Sequence, residues 1–96
     1  MTLTTQQIDA LRKITSPSVA NAIETFKVRP RDEGNVSSSI RALFPEMGPM
    51  VGYAVTVVIE PGNPAHQKNG AKLWSDYRHY IASVPGPKIV VVQDLD

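Results

Sequence analysis

Asp94 and Asp96 stand at the end of the run Lys88-Ile89-Val90-Val91-Val92-Gln93, a pattern that predicts a buried parallel strand. Ligands of open α/β sheets gather outside the carboxyl ends of the strands. Two carboxylates in that place suit outer or water-mediated contact with a divalent cation, which prefers oxygen ligands. A strand-end Asp serves equally well as the acceptor that closes the next turn, and that plainer reading competes at both positions. Arg31 is the second candidate. Lys27, Arg29 and Arg31 alternate in a loop-like stretch, and a guanidinium matches the geometry of a carboxylate ligand or of a neighbouring subunit's acid. A solvated loop charge is the competing reading.

The remaining polar residues make weaker constellations. His66 and His79 have no metal-ligand spacing with each other or with a pair of carboxylates, and Asp76 with His79 at i, i+3 fits a surface pair better than a zinc or iron site. No metal ligand is assigned on this basis. Ser37-Ser38-Ser39 lacks a nucleophile-elbow context, and Gly62, Gly70 and Gly86 form no phosphate-cradling pattern. Trp74, Tyr77 and Tyr80 are expected to serve packing or subunit contacts, because no basic stripe surrounds them as a nucleic-acid surface requires.

The bulk numbers narrow the class. With 96 residues there is one domain at most, of a size that buries only about 60–65% of its unfolded surface. Ten basic against nine acidic residues give a net charge of +1, which offers no general attraction to nucleic acid or an anionic membrane. The chain has no cysteine, which removes disulfides, thiolate metal sites and a cysteine nucleophile together. Met1-Thr2-Leu3-Thr4-Thr5-Gln6 has neither the basic nor the apolar part of a secretory signal, and the apolar runs are too short to span a bilayer. A cytoplasmic protein with no membrane partner is expected.

The elements that would position these residues follow from pattern. A helix is predicted from about Thr5 to Lys13, with a Thr-x-x-Gln capping box at Thr4–Gln7. A second begins where Ser16 caps and Pro17 opens the first turn, with Val19, Ala22, Ile23 and Phe26 on one stripe, and ends near Lys27. Residues 28–37 read as loop. Ile40, Ala42 and Phe44 alternate with Arg41 and Leu43 as a short strand would. Met50 to Glu60 reads as a long strand in which Gly52 marks a bulge or a close backbone approach. After Pro61-Gly62-Asn63-Pro64 a helix is predicted from Ala71 to Ser83, and after Pro85-Gly86-Pro87 comes the terminal strand. Strand, helix and apolar strand make a parallel βαβ crossover. The unalternating Ile89–Val92 run implies cover on both faces of its sheet. The helices at hand can hardly supply it, so further chain or other subunits are expected.

Three segments resemble one family. Ser16-Pro-Ser-Val-Ala-Asn-Ala-Ile-Glu24, Leu43-Phe-Pro-Glu-Met-Gly-Pro-Met-Val-Gly-Tyr-Ala-Val-Thr-Val57 and Val90-Val-Val-Gln-Asp94 are similar to the N-terminal half of the RraA-like family. That family includes 4-hydroxy-4-methyl-2-oxoglutarate aldolases, regulators of ribonuclease E and proteins labelled demethylmenaquinone methyltransferase-like. The resemblance implies an α/β chain that is the N-terminal portion of a swivelling β/β/α domain, with N-terminal helices over 5–27 and an α/β part over 38–96. It also implies a homo-oligomer, trimeric or hexameric. In the aldolase branch it implies a divalent metal, Mg or Mn, that holds a pyruvate-like enolate.

The family's functional motif is a Gly-Asp or Gly-Glu loop after the strand that matches Ile89–Gln93, with an Arg-Asp pair further on. Neither follows that strand within these 96 residues, and Arg31-Asp32 lies after a helix instead. The expectation is therefore an N-terminal fragment that is inactive and binds no metal alone, with Asp94 and Arg31 as its candidate substrate contacts. The parent is expected to be a metal-dependent aldolase or decarboxylase of a small 2-oxo acid. A regulator that binds an RNA-processing enzyme, or a short remnant with an assembly role, are the alternatives.

Overall fold

The computed structural model describes Thr2–Asp96, and the chain divides into two compact units, Met1–Met50 and Val51–Asp96. The first unit is built from short-range bonds. Helix α1 (Thr5–Leu11) opens on Thr4, whose hydroxyl accepts from the Gln7 amide at 3.1 Å while the Gln7 side chain accepts from the Thr4 amide at 2.8 Å. That reciprocal cap satisfies two of the amides that a helix start leaves without partners. Ile8 on this helix is buried.

Helix α2 (Ser16–Glu24) is capped by Thr15, not by Ser16, and Pro17 lies in its first turn, where its missing N–H is not needed. It ends at Glu24, three residues before the expected end, with Thr25 Oγ1 donating to Ala22 O at 2.7 Å and Lys27 in the left-handed region at φ 51°. Val19 and Ile23 are half-buried as the stripe requires, but Phe26 falls beyond the last helical residue and is exposed.

The strand expected at Ile40–Phe44 is absent. This stretch is irregular, with Ser39 turned back on Ser37 and a 3₁₀ turn at Pro45–Met47, and Ile40, Leu43 and Phe44 are exposed. Alternation specifies a strand only when another strand takes its hydrogen bonds and one face is buried, and neither condition holds.

The second unit is a parallel strand–helix–strand crossover. Strand β1 (Tyr53–Ile59) is followed by the short helix α3 (Pro64–Gln67), helix α4 (Gly70–Ser83) and strand β2 (Lys88–Asp94). The two strands pair parallel from Tyr53 opposite Lys88 to Ile59 opposite Asp94. Gly52 admits this approach. A Cβ there would stand 2.9 Å from Pro87 O and 3.0 Å from Lys88 N, which fits the close approach expected of it. Helix α4 stops at Val84, held extended before Pro85, and Gly86 turns the chain at φ 78°.

Burial alternates along β1. Val55 is fully buried at 0% exposure and Val57 and Ile59 are half-buried, whereas Ala54, Thr56 and Val58 are exposed. On β2 only Ile89 is half-buried, and Val90, Val91 and Val92 are exposed. The shortage of cover expected from the helices at hand is seen here, since among the described residues the sheet has two strands and one long helix packs beside it. Among the described residues no helix is long and apolar enough to cross a membrane.

Candidate functional site

Both strands of the second unit deliver their carboxyl ends to the same side, because they are parallel. Beyond β1 the chain turns at Pro61-Gly62 and returns through α3. That turn brings Glu60, Asn63 and His66 together. Asn63 Nδ2 donates to Glu60 Oε2 at 2.7 Å, and His66 Nε2 lies 3.5 Å from the same oxygen. Asn63 also caps α3 by accepting from the Ala65 amide at 3.0 Å. One amide side chain thus orients a carboxylate and starts a helix.

Beyond β2 the chain closes on the same turn. Leu95 N donates to Ile59 O at 2.9 Å, and Asp96 Oδ2 accepts from Gly62 N at 2.6 Å. Asp94 Oδ1 accepts from the Asp96 amide at 3.1 Å, the local turn closure that Asp side chains favour. Each aspartate therefore commits one oxygen to the chain's own backbone.

Between this end of β1 and α4 opens a cavity of about 420 Å³, within the size range of small-molecule clefts. Val57, Ile59, Leu73, Trp74, Tyr77 and Leu95 supply its apolar lining, and Glu60, Asn63 and His66 its polar part. Trp74 and Tyr77 meet edge to face with centroids 6.2 Å apart, a favoured aromatic geometry. The Tyr77 hydroxyl is buried with no hydrogen-bond partner among the described residues, an arrangement that costs stability unless a partner is supplied. The cavity can take the apolar body of a small molecule, with an anchored carboxylate and an imidazole beside it for polar groups.

The other candidates belong to other elements. Arg31 belongs to the first unit, where its Nε pairs with Glu24 Oε2 at 3.0 Å and its side chain is exposed. On α4, Asp76 pairs with Lys72, not with His79, which bonds the Ser75 carbonyl through Nδ1 at 2.8 Å. Glu60, Asn63 and His66 were not paired by the sequence reading, because Pro61, Gly62 and Pro64 break any helix through their i, i+3 spacing and only the Pro61-Gly62 turn joins them.

A divalent metal finds no ligand set here. Among the described residues no group of three or more His, Asp and Glu side chains is placed to hold one, and Asp94, Asp96 and Glu60 are each engaged within the protein. No family model matches the chain, and no curated protein or solved structure was found similar to it.

Proposed function

We propose that this chain is the N-terminal part of an RraA-like protein, and that the parent is a divalent-metal-dependent lyase that cleaves or decarboxylates a small 2-oxo acid. The observation that carries the reading is the apolar cavity at the carboxyl end of β1, with Glu60, Asn63 and His66 in its lining and the Asp94–Asp96 turn beyond β2, joined to Gly62. Parallel α/β sheets bind small ligands in that place. The Gly-Pro-Met-Val-Gly-Tyr-Ala-Val-Thr stretch at 48–56 supports the family, since its Gly52 allows the approach of β1 to the start of β2.

In this reading the chain supplies a wall of the cleft, not its metal ligands. In the family's Arg-Asp pair the Arg would hold the substrate's carboxylate or keto oxygen and the Asp would help to place the metal, which would supply Lewis-acid stabilisation of the enolate. Asp94 lies where β2 would lead into the family's Gly-Asp/Glu loop. Homo-oligomers of the parent belong to the same proposal.

The test is the protein isolated from its native host. The proposal expects an intact mass near twice 10.5 kDa and release of pyruvate that requires Mg²⁺ or Mn²⁺, with none from the 96-residue chain alone. A native mass of 10.5 kDa would leave no room for the metal-binding motif and would end the lyase reading.

A further inference from the structure

The cavity beside the carboxyl end of β1 is larger than the 2-oxo acid head of a substrate needs. A cavity of about 150 Å³ with apolar walls already admits a benzene ring, and this one measures about 420 Å³. A pyruvate-sized head would leave most of it empty, and walls without partner atoms forgo the contacts that hold a ligand. The volume calls for a ligand with a bulky arm.

The lining says what that arm is made of. Ile59, Leu73 and Leu95 offer apolar surface, and Trp74 stands edge to face with Tyr77. Walls of this kind favour an aliphatic or aromatic group, the latter in stacked or edge-on contact. The Tyr77 hydroxyl, buried with no hydrogen-bond partner among the described residues, is an unmet group in the same wall.

Charge sets the other limit. Glu60 is the acid of the lining, and Asp96 bonds the Gly62 amide in the adjoining turn. Among the described residues no Lys or Arg side chain lines the cavity. His66 stands 3.5 Å from Glu60 Oε2, so a charge on the imidazole is met by that carboxylate. A carboxylate carried into this cavity would lose its water, meet a like charge and find no free cation.

We propose that the cavity selects the arm of the substrate: a 4-hydroxy-2-oxo acid whose hydroxyl-bearing carbon carries an uncharged aromatic or branched alkyl group, not a second carboxylate. The reaction rests on the lyase reading, while the selectivity of the cavity rests on its lining alone. Cleavage breaks the bond between the hydroxyl-bearing carbon and the carbon next to the keto group. The bonding pair stays on the latter as an enolate, and the hydroxyl gives up its proton and becomes an aldehyde carbonyl. The enolate takes up one proton and leaves as pyruvate.

The test uses the full-length parent, in which any chain beyond Asp96 is in place. Benzyl alcohol and benzoate, alike in ring and unlike in charge, are titrated against the indole N–H resonance of Trp74, assigned by its loss in Trp74→Phe. Benzyl alcohol is expected to move that resonance saturably, and benzoate to bind about tenfold more weakly. Glu60→Gln keeps an oxygen to accept from Asn63 and is expected to remove most of that difference. Leu73→Lys puts a cation in the lining, at an exposed position, and is expected to reverse it. In turnover, kcat/KM for the phenyl-bearing acid should exceed that for its counterpart with a carboxylate in place of the ring by about tenfold or more. Failure of both probes to bind, as when following chain fills the cavity, overturns the proposal. So does equal or tighter binding of benzoate, or faster release of pyruvate from the dicarboxylate. Selective probe binding with pyruvate from neither acid would end the lyase reading and uphold the selectivity of the cavity.

Discussion

Residues 1–50 and 51–96 hold themselves together over different distances along the chain. In the first unit the side-chain bonds join near neighbours: Thr4 with Gln7, Asp9 with Arg12 at 2.7 Å, Thr15 with Ser18, Ser37 with Ser39. Even the Arg31–Glu24 pair spans one loop. In the second unit the decisive bonds close some 34 residues, from Gly62 to Asp96 and from Tyr53 to Pro87. Closing such a loop costs entropy that grows only slowly with its length, and the β1–β2 ladder offsets it. The difference explains where the cleft lies. Caps define a helix end but fix no side chain against a remote one, whereas a ladder sets two strand ends and their turns in one register.

Three substitutions probe that contrast. The largest effect belongs to Val55→Asp, which places a carboxylate at a fully buried position with no counter-charge. It should cost about 4 kcal/mol, seen as loss of the cooperative urea transition and of Trp74 fluorescence in its native environment. Gly52→Ala comes next. Its Cβ would press on backbone atoms of Pro87 and Lys88, which cannot yield as a flexible side chain can, so a loss of about 2 kcal/mol is expected in the same unfolding experiment. Thr4→Ala removes the reciprocal cap of α1 and should cost about 1 kcal/mol, read as reduced helicity near residues 5–11 by chemical shift. If Thr4→Ala destabilised the β1–β2 ladder as much as Gly52→Ala does, the contrast between local and long-range stabilisation would fail.

Much of this was legible in the residues. The Thr4–Gln7 box, the Pro-rich breaks at 61–64 and 85–87, the parallel pairing and the close approach at Gly52 all rest on local stereochemistry that a sequence carries openly. The misreading at Ile40–Phe44 has the opposite cause: alternation says which face could be buried, not whether anything is there to bury it. The helices at hand were expected to leave the Ile89–Val92 run short of cover, and Val90, Val91 and Val92 are exposed. The Glu60–Asn63–His66 cluster was illegible because a turn, not a periodicity, creates it. Asp94 and Asp96 were placed correctly at a strand end, and both bond the backbone as turn-closing carboxylates do.

Amide hydrogen exchange, resolved by residue, tests most directly the claim that the ladder is the stabilising frame of the molecule. The slowest amides should be those of Val55, Val57, Val91 and Gln93, which lie along the β1–β2 pairing, while residues 28–44 exchange at nearly the unprotected rate. Slowest exchange in α1 or α2, or equal protection across both units, would contradict the account.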